Sequence, residues 1–225
     1  MAGQHERTRR QAARGSDGSA LRAYRAKRRF ERTAEPPGGP VESGGAPCFV
    51  VQLHDARTLH FDFRLEVDGV LKSWSVPKGP SADPHDKRLA MPTEDHPLEY
   101  RDFEGVIPAG EYGGGTVIVW DRGTYHPTSH DRRGRTVPFG VSLERGHASF
   151  RLAGRKLRGG YALTRIRSGD GTEREAWLLV KADDARATPG RTGVPDPYRA
   201  RSALSGRTLR QVAAHPGAEW RSNRS

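Results

Sequence analysis

Between positions 48 and 76 the apolar residues recur at every second place, and that period decides what this chain can become. Phe49, Val51 and Leu53 alternate with Val50, Gln52 and His54; Phe61, Phe63, Leu65 and Val67 alternate with His60, Asp62, Arg64 and Glu66. Successive side chains of a strand point to opposite faces, so a period of two predicts half-buried strands with one apolar and one polar face. Asp68-Gly69, between Val67 and Val70, is the pair that a type I′ hairpin turn prefers, because both of its central positions need positive φ. Further short runs at 116–120, 140–143, 148–152, 161–166 and 177–181 read as strands, the first of them ending in an Asp121-Arg122-Gly123 turn. Long helical patterns are almost missing. The expectation is a mainly β fold, a small antiparallel barrel or sandwich with few short helices.

The flanks read differently. Residues 1–20 are small, polar and charged, which predicts a disordered basic tail. Residues 21–47 form an N-terminal arm, with a short basic helix over 21–29 and a Pro- and Gly-rich connection after it. The domain itself runs over 21–184, and 185–225 reads as a second basic, disordered tail with a short helix over 205–214. The formal charge of +11 and pI of about 10.4 invite a nucleic-acid reading. Residues 1–32, however, hold 10 Lys and Arg against 3 Asp and Glu, and 185–225 hold 8 against 2, which leaves 33–184 at about −2. The basic balance therefore speaks for general attraction to polyanions and not for a basic groove in the barrel. The one cysteine, Cys48, excludes a disulfide framework and a cysteine-rich zinc site. No apolar run approaches the roughly 20 residues that span a bilayer, so a cytoplasmic, nucleoid-associated protein is expected.

Chemistry concentrates on one strand face. His60, Asp62 and Arg64 project together, within about 14 Å, while Phe61, Phe63 and Leu65 point the other way. Imidazole and carboxylate are ligands for Mn²⁺, Zn²⁺ or Fe²⁺, and the planar guanidinium matches phosphate oxygens. His54, at the end of the preceding strand, returns to the same place after a short connector and supplies a third ligand. Two His and one carboxylate leave coordination positions open for substrate. From the residues alone the competing reading is a salt-bridge ladder on a solvent-facing strand, worth about 0–1 kcal/mol per pair. A second set, Lys78, Arg88, His96 and Tyr100, lies in a proline-punctuated stretch of loops where rigid turns hold functional side chains. The glycines at 113–115 lack both a following Gly-Lys-Ser/Thr and a following helix, so they read as a flexible connection and not a phosphate loop. His85, His126, His130 and His147 read as exposed.

At these residues the sequence resembles the 3′-phosphoesterase module found at the N-terminus of bacterial DNA ligase D and as free-standing bacterial and archaeal proteins. The resemblance runs from about residue 21 to 181 and is densest in FVVQLHDARTLHFDFRLEVDGVLKSWSVPKGPS, in DKRLA and EDHPLEY, and in DFEGVIPAGEYGGGTVIVWDRG. It implies a small β-barrel and a manganese-dependent activity, other divalent transition metals being possible. That activity trims a 3′-terminal ribonucleoside and then removes the 3′-phosphate, leaving a 3′-OH on DNA primer-template ends for end joining. It makes His54, His60 and Asp62 the metal ligands, and Arg64, Arg88 and His96 the phosphate-contacting groups. Tyr100 and Lys78 fall on further active-site positions, and Arg28 and Glu35 on positions used for the ribonucleoside step. The resemblance departs after Arg28, where the family usually has an acidic residue and this chain has Arg29. Glu66-Val67-Asp68-Gly69 has Glu66 where an adenylating lysine would stand, so ligase, polymerase and end-binding functions are expected from separate partners. The rival readings are a non-catalytic DNA-end-binding or scaffold protein, and a phosphoesterase acting on RNA ends.

Overall fold

The computed structural model describes residues 19–39, 45–169, 174–190 and 196–215. The expected disorder of 1–18 and 216–225 falls outside those residues. Among the described residues nine strands make one antiparallel sheet: β1 (Cys48–Asp55), β2 (Leu59–Val67), β3 (Val70–Val76), β4 (Lys87–Pro92), β5 (Gly105–Ile107), β6 (Gly115–Pro127), β7 (His147–Gly154), β8 (Arg158–Arg167) and β9 (Ala176–Lys181). The order β1-β2-β3-β4-β9-β8-β7-β6 closes on itself through β1–β6 pairing, and β5 lies outside the ring on β6. The structure is therefore a closed eight-stranded antiparallel barrel, as the alternation predicted. The β2–β3 turn has the expected conformation, with φ of 50° at Asp68 and 85° at Gly69.

The barrel interior holds the first set of alternating residues. Phe49, Val51 and Leu53 of β1 and Phe61, Phe63 and Leu65 of β2 join Trp120, Phe150, Leu163 and Trp177 in one core. The opposite face of β1 and β2 was expected to meet water, and it does not. A second apolar cluster covers it, made of Val50, Leu71, Leu98, Tyr100, Phe103, Ile107, Val117 and Val119 with Tyr24 of the arm. Leu21 and Tyr24, three residues apart and 1% and 0% exposed, seat helix α1 (Arg22–Ala26) on this face. The Tyr24 hydroxyl donates to the Pro36 carbonyl and ties the returning chain to it. A 3₁₀ helix, Leu98–Asp102, packs beside it. The polar row of β2 thus lies on the outer face of the barrel, under a roof.

Three local readings need correction. Residues 140–143 are helical, in α2 (Phe139–Glu144), because Pro138 starts a turn that buries Phe139, Ser142 and Leu143 together; a four-residue apolar run cannot distinguish the two periods. Asp121-Arg122-Gly123 is not a turn. β6 runs through it, the β1–β6 register shifts opposite Val51 and Gln52, and the Asp121 carboxylate accepts backbone N–H groups of Arg155, Lys156 and Leu157. The C-terminal segment 196–215 packs on the barrel, contrary to the expected disorder of 185–225. Ala200, Leu209 and Val212 enter the main core, Ala203 N–H donates to the Val119 carbonyl, and Thr208 and Gln211 form a capping box for α3 (Leu209–Ala214). Its Arg- and Pro-rich composition hid four small or apolar contacts.

Leu209 is 3% exposed, so Leu209→Ala is expected to lower stability by about 2–5 kcal/mol, the usual cost of such a truncation in a core. Urea denaturation measures it; a loss below about 0.5 kcal/mol would detach this segment from the barrel's stability.

Candidate metal centre

β1 and β2 pair so that His54 stands opposite His60 and Gln52 opposite Asp62. Strand parity and this register together bring His54, His60 and Asp62 to one point, with one donor atom of each within 4.8 Å of the others. His54 Nδ1 and His60 Nε2 each lie 3.6 Å from a different oxygen of the Asp62 carboxylate. The far nitrogens are already committed: His54 Nε2 donates to the Gly113 carbonyl at 2.8 Å and His60 Nδ1 to the Thr58 carbonyl at 2.7 Å. Those two carbonyls fix the ring orientations and turn the other nitrogen of each imidazole toward the Asp62 carboxylate. A shared cation makes that arrangement favourable, and the carbonyl contacts orient the rings as outer-sphere partners of metal ligands do. The donor set of two nitrogens and one carboxylate suits a divalent transition metal.

Arg64 sits next to Asp62 and is 2% exposed. Its Nη2 donates to Asp62 Oδ2 at 3.0 Å, its Nε to Gln52 Oε1 at 2.8 Å and its Nη1 to Ser73 Oγ at 2.8 Å. Burial pushes the Asp62 carboxyl up, but the Arg64 charge and the two imidazoles more than offset it and hold the group well below the ordinary carboxylate range. A ladder of surface ion pairs, the competing reading of this row, does not describe side chains this deeply covered.

His96 joins Arg64 to the arm. It reaches the site because its backbone bridges to Leu71 of β3. Arg64 Nη1 lies 2.9 Å from His96 Nδ1, and Arg28 Nη2 lies 3.2 Å from His96 Nε2. Burial, followed by the two guanidinium charges, pushes the His96 imidazole well below its ordinary value, so it is neutral. One neutral imidazole has one acceptor nitrogen. Two guanidinia flank it, which leaves a surplus of buried N–H donors beside the metal donors. Arg28 stacks on Tyr24 at 3.8 Å and is held by Glu35 at 2.9 Å and Glu94 at 3.0 Å. The Tyr100 hydroxyl donates to the same Glu35 oxygen at 3.0 Å, and burial followed by the Glu35 charge keeps the phenol protonated.

These groups face a cleft of about 1230 Å³. Of the residues singled out in the sequence, Arg28, His54, His60, Asp62, Arg64, His96 and Tyr100 line it, and Glu35 braces two of them from behind. Lys78 and Arg88 do not line it. Lys78 is exposed after β3, and Arg88 is ion-paired with Asp86 at 2.6 Å. Gln52, Ser73 and Glu94 went unnoticed in the sequence. The parity of Gln52 with His54 was the available signal for the first; Ser73 and Glu94 had none apart from their neighbours. The 113–115 glycines are not a flexible connection. A Cβ at Gly115 would meet the Asp55 carbonyl at 2.2 Å, and the same segment delivers the Gly113 carbonyl to His54. Arg29, at the departure from the family pattern, pairs with Glu111 at 3.0 Å, and Arg32 reaches the same carboxylate at 3.1 Å. Cys48 plays no part here, since burial pushes its thiol up to about 11. The four remaining histidines considered are exposed, as expected.

The neutrality of His96 has a consequence for stability. Below pH 6.5 the unfolded chain binds a proton at this histidine that the folded chain, with its depressed pKa, refuses, so stability falls as pH falls. Each bound proton is worth about 1.4 kcal/mol per pH unit. Urea midpoints at pH 7.5, 6.5 and 5.5 should decline below 6.5 more steeply for the natural chain than for His96→Gln; equal slopes would contradict a buried neutral imidazole.

A family description, DNA ligase D 3′-phosphoesterase domain, matches residues 52–165. The multifunctional non-homologous end joining protein LigD of Pseudomonas aeruginosa is 52% identical over 169 residues, covering 74% of this chain and 19% of that protein. The multifunctional non-homologous end joining DNA repair protein LigD of Mycobacterium tuberculosis is 44% identical over 159 residues, 70% of this chain and 19% of its own length. The LigD protein of Mycolicibacterium smegmatis is 39% identical over 174 residues, 74% of this chain and 21% of its own length. The chain thus spans about a fifth of the length of these curated relatives. No helix among the described residues is long and apolar enough to cross a membrane. By its matched sequence and its barrel, this chain belongs to the DNA ligase D 3′-phosphoesterase domain family.

Proposed function

We propose that the protein is a manganese-dependent phosphoesterase that heals DNA 3′ ends for end joining, removing a 3′-terminal ribonucleoside and then the 3′-phosphate to leave a 3′-OH. The observation that carries this reading is the convergence of His54, His60 and Asp62 beside a buried Arg64 whose neighbour His96 is flanked by a second guanidinium. A divalent cation bound there would neutralise phosphate charge and lower the pKa of a coordinated water. Arg64 and Arg28 supply buried N–H donors on either side of His96, whose own Nδ1–H donates to the Glu94 carbonyl, and fixed donors of this kind stabilise charge developing on phosphate oxygens. Neutral at rest, His96 serves as a hydrogen-bonding partner of the phosphoryl group and not as a stored proton.

Arg28 and Tyr100 line the cleft, both held by the same Glu35 oxygen behind them. In this reading they hold a terminal ribose, and Arg29, paired with Glu111, leaves that side without the family's usual extra carboxylate. Lys78 and Arg88 are not required by this reading. A ligase and a polymerase that act on the same ends would be its working partners in a cytoplasmic, nucleoid-associated pathway.

The test uses a primer-template ending in a 3′-phosphate and a second ending in one ribonucleotide, with Mn²⁺ or with chelator. Conversion to a 3′-OH is expected only with metal, and Asp62→Asn is expected to lower it about 10- to 100-fold, the loss that follows removal of a partner at a metal site. Full activity of Asp62→Asn, or full activity in chelator, would reject the reading. Glu35→Ala should slow ribonucleoside removal more than phosphate release, as gel electrophoresis of the two products would show.

A further inference from the structure

Among the cations of the cleft and of the arm beside it, two stand apart from the others. Lys27 pairs with Glu94, Arg28 with Glu35 and Glu94, Arg29 and Arg32 with Glu111, and Arg64 with Asp62. The arm side of the cleft is therefore electrically compensated. Arg57 and Arg174 also line the cleft, both are exposed, and neither has an ion-pair or hydrogen-bond partner among the described residues. Arg57 stands in the short connector between the two metal-ligand candidates His54 and His60, and Arg174 leads into β9 from the β8–β9 connection. Asp55, two residues before Arg57, also lines the cleft without an ion-pair partner among the described residues, so these three exposed groups leave the cleft one net positive charge that the arm's ion pairs do not supply.

We infer that Arg57 and Arg174 grip the phosphodiester backbone of the DNA strand whose 3′ end enters the metal centre, and so set the side of the cleft along which that strand leaves. The inference rests on the function proposed above. The reacting phosphate meets Arg64 and His96, which are 2% and 4% exposed. A backbone phosphate further along the strand keeps much of its hydration and has to be met at the rim, by cations that remain in water and are not neutralised by a carboxylate. Guanidinium suits this role, because it forms paired N–H contacts to phosphate and is less strongly hydrated than an ammonium. A strand lying along the arm instead would meet the carboxylates Glu94 and Glu111 with their charges already spent on Lys27, Arg28, Arg29 and Arg32. Contacts of this kind carry affinity and salt dependence without reading bases.

The full chain and its Arg57→Ala, Arg174→Ala and doubly substituted forms would be titrated with a fluorescent primer-template ending in a 3′-phosphate, at 50 to 300 mM salt. Each substitution is expected to weaken binding and to reduce the slope of log K against log salt by about 1. In turnover, KM for the primer-template should rise at least threefold in the double variant with kcat within twofold. A nucleoside 3′-monophosphate, which has no second phosphate, should show no such rise. An unchanged salt slope, or an equal loss on the mononucleotide, would overturn the grip. If the natural chain binds the primer-template through these arginines yet never converts the 3′-phosphate, the grip stands and the proposed function falls.

Discussion

Arg64 brings five N–H donors into a space nearly closed to water, and the rest of the site is arranged around satisfying them. A buried guanidinium without partners would cost several kcal/mol, so each neighbour that accepts from it is also held by it. Asp62 is fixed by Nη2, Gln52 by Nε, and Ser73 and His96 face Nη1. Those four residues come from β1, β2, β3 and the bridge that follows β4, so one side chain ties the outer face of the barrel into a single unit. The carboxylate that would hold a metal is the same one that neutralises Arg64. A phosphate at a metal held there would meet a guanidinium already oriented, with little reorganisation between binding and charge stabilisation.

The roof over this face is the second dependency. Without Tyr24 of the arm and Leu98, Tyr100, Phe103 and Ile107 beside it, Val50, Leu71, Val117 and Val119 would be open to water and Arg64 would lose its enclosure. The arm closes the face with Tyr24 and threads Arg28 between Glu35, Glu94 and His96. It also meets the glycine segment: Lys27 reaches Tyr112, and Arg29 and Arg32 share Glu111, two residues before the carbonyl that orients His54. These ion pairs are largely exposed on the arginine side, so each adds little to stability. Their effect is geometric. Arg29, where the resemblance led to the expectation of an acidic residue, links the arm to the loop beside the metal donors.

Much of this was legible in the residues. The period of two gave β1 and β2, Asp68-Gly69 gave their link to β3, and parity alone grouped His60, Asp62 and Arg64. What parity could not show was that both faces of these strands are covered, because the covering residues, Tyr24, Tyr100 and Phe103, are distant in sequence. Arg28 and Glu35 entered the site only through the family resemblance. His96 and Tyr100 were also marked by the proline-punctuated stretch that holds them, and so were Lys78 and Arg88, which this fold places off the cleft. Gly115 and Asp121 were misread as loop residues because a close approach of backbone and a tertiary cap use the same residue types that turns use. The packing of 196–215 was hidden by its charge, since Leu209 and Val212 are a thin apolar signal in a basic stretch.

All of these dependencies meet at the point between two imidazoles and one carboxylate. Anomalous diffraction from a crystal of the full chain soaked in Mn²⁺, recorded on either side of the manganese edge, measures occupancy of that point directly. A single strong peak within bonding distance of His54 Nδ1, His60 Nε2 and the Asp62 carboxylate is the expected result. A chain whose manganese peaks lie elsewhere, with those three side chains bonded only to one another, would contradict the account at its centre.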